Sequence, residues 1–293
     1  MMPYPASPAQ RRHAFRALLE DAVCRTFASV FDPISARLAE DLGFQAAILP
    51  GSVAALAMLG APDPMLLGTG DLALQTRRII RATRALPLQA DAEHSVTSPA
   101  EALRTVGELE TAGAAAVDFE DTVPPHQWGP GTPPRLLPRE EAVARIKAAV
   151  AGRQDPALVL VAHTSALELG ALGEATARAQ AYAAAGADAL CITGASTLEQ
   201  VRVIAQASGR PVLIRSGRAD WTNAELAAAG ARLVVRGHQP FLAAVRAVAD
   251  TLTDLRDGTP PDALAYQADA ALIRQVGRAD EYEAAAATYR GGT

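Results

Sequence analysis

The sequence predicts a (β/α)8 TIM barrel as one domain over residues 1–293, with a helical tail from about residue 258. Three observations point there. Eight short apolar runs alternate with alanine-rich amphipathic stretches. The runs are apolar along their length instead of alternating with polar residues, as suits parallel strands covered on both faces. One phrase also returns at the junction of helix and strand, as TAGAAAV, AAGADAL and AAGARLV. Its spacing varies, which argues against a solenoid. The chain length fits such a barrel. A doubly wound sheet is the alternative, but it needs fewer strands or a further domain, and no break in composition marks one.

The predicted strands, in order, are TFASVFDP (26–33), AAILPGS (46–52), PLQADAE (87–93) and AAVDFED (115–121), then ALVLVAHT (157–164), ALCITG (189–194), PVLIRS (211–216) and RLVVRG (232–237). Between them, ISARLAEDLGF, EALRTVGELETAGA and EATARAQAYAAAGA carry Leu, Val and Ala at helical spacing. Each ends at or beside a glycine, the expected helix terminator. A Pro/Gly-rich stretch at 124–140 follows the fourth strand and reads as a lid or rim loop. The segment after Asp257 reads as a linker followed by helices that cap the barrel or dock on a neighbouring subunit.

Composition narrows the function. Charges of both signs are interspersed and sum to -5, so no basic stripe for nucleic acid is expected. The N-terminal stretch has no apolar core of signal-peptide length, and no run reaches the ~18 apolar residues of a membrane span. A cytoplasmic protein without a membrane partner is the expectation. Cys24 and Cys191 lie far apart in apolar surroundings and read as buried free thiols, not a disulfide or a zinc cluster.

In a barrel the chemistry belongs at the C-terminal ends of the strands. Those ends carry Asp32, Ser52, Asp91 with Glu93, Glu120 with Asp121, His163, Thr193, Arg215 with Ser216, and Arg236 with His238. The two-residue period of a strand puts Gln89, Asp91 and Glu93 on one face, and Asp118 with Glu120 on one face of the next strand. If both faces point inward, four carboxylates meet at the barrel mouth. Their repulsion would raise their pKa values unless a cation sits among them. A set of carboxylates suits Mg2+ or Mn2+ better than zinc. The alternative is that these acids cap helices or end strands in water.

At these residues a resemblance emerges. SVFDPISARLAEDLGFQAAILPGSVAA, PLQADAEH, FEDTVPP and GADALCITG resemble the isocitrate lyase/phosphoenolpyruvate mutase superfamily, and most of all its oxaloacetate decarboxylase branch. The resemblance implies a barrel with a C-terminal helix swapped between subunits of a homotetramer, Mg2+ or Mn2+, and a small 2-oxo acid substrate. It implies a carboxy-lyase that converts oxaloacetate, or a close 2-oxo acid, to pyruvate and CO2 through a metal-stabilised enolate. By matched position it makes Asp91 the direct metal ligand and Glu93, Glu120 and Asp32 acids that act through metal-bound water. Ser52, His163 and His238 become substrate contacts, and Asp91, Glu120 and His238 the catalytic set. The loop after the fourth strand lacks the cysteine of the superfamily's C–C lyases.

Three departures concern the substrate half of the site. His163 stands where the family has an arginine for a substrate carboxylate, Ser95 stands where it has glycine, and the aromatic after the seventh strand is missing. Arg215, Arg218 and Arg236 are the candidates to restore the positive charge. The alternatives are a C–C lyase acting on a 2-hydroxy diacid, C–P bond chemistry on phosphonopyruvate, and a non-catalytic 2-oxo-acid-binding member.

Overall fold

A computed structural model describes residues 5–62, 66–92, 96–123, 133–215 and 220–290, the side chains of residues 289 and 290 excepted. Glu93, Ser95, Ser216 and Arg218, and most of the Pro/Gly-rich loop at 124–140, lie outside the described residues.

Nine parallel strands run in the order β1-β9-β8-β7-β6-β5-β4-β3-β2. They are β1 (Arg25–Thr26), β2 (Ala28–Ser29), β3 (Ala47–Leu49), β4 (Leu88–Asp91), β5 (Ala116–Glu120), β6 (Val159–Thr164), β7 (Ala189–Ile192), β8 (Val212–Arg215) and β9 (Ala231–Val235). The sheet closes because β1 and β2 are two halves of one stave on either side of Phe27. β1 pairs with β9 and β2 pairs with β3. The Phe27 N–H donates to Val234 O at 2.9 Å, and the Val30 N–H donates to Ile48 O at 2.9 Å. The eight predicted runs are thus the eight staves.

The strands are shorter than the apolar runs at their C-terminal ends. Asp32 is the N-cap of α2 (Pro33–Asp41), and Gly51 with Ser52 opens α3 (Gly51–Leu59). Proline at position 33 favours the first helical turn and removes a ladder donor, so the strand stops before it.

Side chains alternate as the period of two requires. Ile48, Ala116, Val159, Val161, Ala189, Cys191, Leu213, Leu233 and Val235 fill the barrel interior. Their neighbours Leu49, Leu88, Val117, Leu160, Leu190, Val212 and Val234 pack against the surrounding helices. Gly186 (φ +104°) and Gly230 (φ +98°), from the recurring phrase, take left-handed turns into β7 and β9. A Cβ on Gly230 would stand 2.6 Å from the Ala205 Cβ, so helix and strand approach closely only without one.

The N-terminal helix α1 (Pro8–Glu20) had no counterpart in the sequence reading. A capping box between Ser7 and Gln10 starts it. Phe15, fully buried, plugs the N-terminal end of the barrel with its ring centroid 5.8 Å from that of Phe27. Arg11 and Arg12 look like surface residues in sequence, yet both are buried. Arg11 donates to the carbonyls of Ile80, Thr83 and Leu86, and closes the end of α4 (Thr69–Ala82).

The remaining helices follow the strands: α5 (Pro99–Ala112), α6 (Arg139–Gly152), α7 (Leu172–Ala184), α8 (Leu198–Ser208), α9 (Asn223–Ala228) and α10 (Gln239–Arg256). The tail forms α11 (Ala270–Gly277) and α12 (Ala279–Arg290). α11 returns to α2 of its own chain. Arg37 Nη1 donates to Val276 O at 2.7 Å, and Arg278 bonds both oxygens of Asp41 at 2.7 Å. α10 buries no residue and exposes Leu242, Val245, Val248, Leu252 and Leu255. Among the described residues, no helix is long and apolar enough to cross a membrane.

Candidate active site and metal centre

The inward faces of β4 and β5 carry Gln89, Asp91, Asp118 and Glu120. Asp91 and Asp118 are Cα partners on adjacent strands. Both are buried, Asp118 completely. Each is held by a hydrogen bond that depends on the fold. The Gly51 N–H, at the start of α3, donates to Asp91 Oδ2 at 3.2 Å, and Gln89 Nε2 donates to Asp118 Oδ2 at 3.1 Å. Asp118 Oδ1 is buried with no hydrogen-bond partner among the described residues.

Arg215 reaches this pair from the end of β8. Its Nη1 lies 3.0 Å from Asp91 Oδ2, and its Nη2 pairs with Asp118 Oδ2. Burial drives the Asp118 carboxyl up to about 6, and the Asp91 and Glu120 charges add to the rise. Arg215 and His163 oppose it. Carboxylates crowded out of water raise their own pKa until a cation arrives.

The second half of the cluster lies on β5, β6 and β7. Glu120 Oε1 accepts from Ser165 Oγ at 2.6 Å, and its Oε2 stands 3.2 Å from His163 Nδ1. That contact is within ion-pair range but off hydrogen-bond alignment. His163 Nε2 shares a 2.7 Å bond with Thr193 Oγ1. Burial opposes a charge on His163, but Cys191 and the Glu120 carboxylate outweigh it and hold the imidazole well above its ordinary value.

Asp118, His163 and Cys191 present ligand-type atoms within 4.8 Å of one another. Cys191, expected in apolar surroundings, thus stands beside an acid and an imidazole. Both cysteines are buried and free, as expected. Burial raises the Cys191 thiol. The sequence hid this trio because its members come from three strands, and register alone brings them together.

Asp121 points the other way, into the helix layer. Its Oδ2 accepts from Tyr182 Oη at 2.6 Å and Arg178 Nη1 at 3.0 Å. Its backbone N–H donates to His163 O at 3.0 Å, and its carbonyl accepts from the Leu137 N–H at 2.8 Å. These bonds fix the end of β5 and so the direction of Glu120.

The other expected residues are placed as follows. Ser52 is half-buried in the first turn of α3, whose first N–H already holds Asp91. A helix N-terminus of this kind offers N–H groups to an anion. His238 Nδ1 bonds Ser29 Oγ at 2.9 Å, and burial, with help from Arg215, lowers its pKa. Asp32 spends Oδ1 on the Ser35 N–H at 2.7 Å, as a helix cap. Arg236 is turned toward Trp221 O and Asn223 Oδ1, at 2.8 and 3.0 Å. Of the three candidate arginines, Arg215 is the one the described structure brings to the carboxylates; Arg218 is not described.

A divalent cation fits this arrangement. Asp91 and Asp118 are buried acids side by side, and Asp118 keeps an oxygen without a donor. Such a set gains stability from a bound cation.

Comparison with known proteins agrees with the geometry. The phosphoenolpyruvate phosphomutase family model matches residues 15–256. An oxaloacetate decarboxylase of Rhodopseudomonas palustris (strain BisB5) is 45% identical over 96% of this chain and 97% of its own. A phosphoenolpyruvate phosphomutase from Streptomyces platensis subsp. rosaceus superposes with a TM-score of 0.85 at 30% identity, over 97% of this chain and 99% of that one. A phosphonopyruvate hydrolase in complex with oxalate and Mg2+ gives a TM-score of 0.83 at 28% identity, over 95% and 99%.

Proposed function

The chain belongs to the phosphoenolpyruvate phosphomutase family, and from that premise we propose that it decarboxylates oxaloacetate, a small 2-oxo acid, to pyruvate and CO2 with a divalent metal ion, Mg2+ or Mn2+. The observation that carries the reading is the buried pair Asp91 and Asp118 side by side at the barrel mouth, near enough to Glu120 for its charge to act on Asp118. The near-full-length similarity to an oxaloacetate decarboxylase supports the choice of reaction.

In this reading Asp91 would hold the metal directly, and Glu120, Glu93 and Asp32 would act on it through water. When bound, the metal supplies a Lewis acid for the negative charge that develops on the 2-oxo oxygen. The rest is the work of side chains. Ser52, at the N-terminus of α3, orients the C1 carboxylate. His238, kept neutral by burial and braced by Ser29, holds the 2-oxo group or the departing carboxylate. His163, beside Glu120 at the end of β6, faces the substrate end of the site. Loss of CO2 leaves an electron pair on C3, and a proton taken up there gives pyruvate.

The reading includes a cytoplasmic homotetramer with a swapped C-terminal helix. The unburied apolar stripe on α10 supports an assembly, since a neighbouring subunit would cover it. The test is pyruvate release from oxaloacetate with Mg2+, and again with chelator. Turnover that chelator abolishes and Mg2+ restores is expected; no metal-dependent turnover refutes the proposal. Phosphonopyruvate and 2-hydroxy diacids in the same assay distinguish the sister activities.

A further inference from the structure

The position of Arg215 goes beyond the reaction itself. β8 lies three strands from β5 and four from β4 in the sheet order. The side chain therefore crosses the barrel lumen to reach its acids. Its side chain is 14% exposed, while those of Asp91 and Asp118 are 1% and 0% exposed. The two ends of the guanidinium fork are used differently. Nη2 meets Asp118, which is also fixed by Gln89. Nη1 meets Asp91 Oδ2, at the strand end, on the same oxygen that the Gly51 N–H holds.

A divalent ion held by Asp91 would stand beside the guanidinium already on that carboxylate. Two cations at contact distance repel strongly where water is scarce. A buried acid pair without any cation is equally unfavourable. The arrangement resolves both conditions if the two cations alternate.

We propose that Arg215 is a built-in counter-cation, tethered by Asp118, that neutralises Asp91 in the metal-free protein and yields it when a divalent ion binds. The inference rests on the metal reading above. Binding then exchanges one cation for another at Asp91, while the Asp118 bond keeps the guanidinium at the mouth. The displaced Nη1 N–H groups turn to the lumen, where a substrate carboxylate is their natural acceptor.

The experiment is Mn2+ binding followed by the electron paramagnetic resonance of free Mn2+, with melting of the chelator-treated and Mn2+-loaded protein. The full chain is used as wild type, Arg215→Gln and Arg215→Lys. Arg215→Gln removes the competitor. It is expected to tighten Mn2+ binding at least tenfold, to lower the melting temperature of the metal-free protein by several degrees, and to enlarge the rise that Mn2+ gives. Arg215→Lys keeps a charge without the fork, so its Mn2+ affinity should fall between the other two. It also serves if the glutamine variant does not fold. Unchanged or weaker Mn2+ binding in Arg215→Gln, or in Arg215→Lys where it alone folds, overturns the inference and leaves Arg215 a structural ion pair. A wild type that binds no Mn2+ overturns both this and the metal reading. A wild type that binds Mn2+ without turning over oxaloacetate removes the proposed reaction and leaves the exchange standing.

Discussion

Arg178→Met tests whether the bonds behind β5 support the site. Arg178 lies in α7 with its side chain 6% exposed, beside an Asp121 side chain that is 2% exposed. Its Nη1 bonds Asp121 Oδ2 at 3.0 Å and Tyr182 Oη at 3.2 Å, its Nη2 bonds Leu137 O at 2.7 Å, and its Nε bonds Glu174 Oε1 at 2.8 Å. Methionine keeps much of the volume and removes all four. Asp121 is left charged, buried and held by Tyr182, with weak help from the Ser165 N–H at 3.4 Å. Breaking one side of a buried pair costs about 3–5 kcal/mol. In a chain of this size each kcal/mol is worth about 2 °C, so a fall of about 6–10 °C is expected. Differential scanning calorimetry at one protein concentration reads it. Tyr182→Phe, which removes one hydrogen bond to a charged acceptor, should cost about 1.5–3 kcal/mol. Adding Asp121→Leu to Arg178→Met should recover most of the loss, because no unpaired charge remains. Turnover should fall in Arg178→Met, since Asp121 fixes the backbone beside Glu120. A melting temperature within 2 °C of wild type would refute the reasoning, and the pair would then be a passive contact.

Three further outcomes are expected. Asp91→Ala should remove metal-dependent turnover and leave the far-ultraviolet circular dichroism unchanged; wild-type rates would remove Asp91 from the metal. Leu252→Asp, on the exposed stripe of α10, should reduce the mass seen by light scattering to that of a smaller species; an unchanged mass would show that α10 is not in an interface. Hydrogen bonding from Arg278 holds Asp41 below the ordinary carboxylate range. A carboxylate depressed by folding stabilises above its unfolded pKa and ceases to as pH falls through the folded one. α11 should therefore lose hydrogen-exchange protection as pH falls below about 4, and Arg278→Gln should abolish that dependence.

Much of the fold was legible because it depends on hydrophobic pattern. The eight apolar runs became the eight staves, and the period of two put Asp91 and Asp118 on inward faces. α1 was not legible, because Arg11 and Arg12 carry charges that normally mark a surface. They are buried here because backbone carbonyls at the barrel's N-terminal end accept from both side chains and Asp155 pairs with Arg12. The ends of the strands were overextended for a local reason. Asp32 and Gly51 belong to helix starts, where capping and the α3 N-terminus claim them.

By itself the sequence determined the barrel, the acids at its mouth and the resemblance to a metal-dependent family. Each of these rests on the order of residue types along one strand or one helix, which a linear pattern records. Only the tertiary structure decided what stands opposite those acids. Arg215 reaches Asp91 and Asp118 across the lumen, and Cys191 comes beside His163 through strand register. Charge and burial are properties of a closed volume, and a closed volume exists only once β1 and β2 have joined the two edges of the sheet.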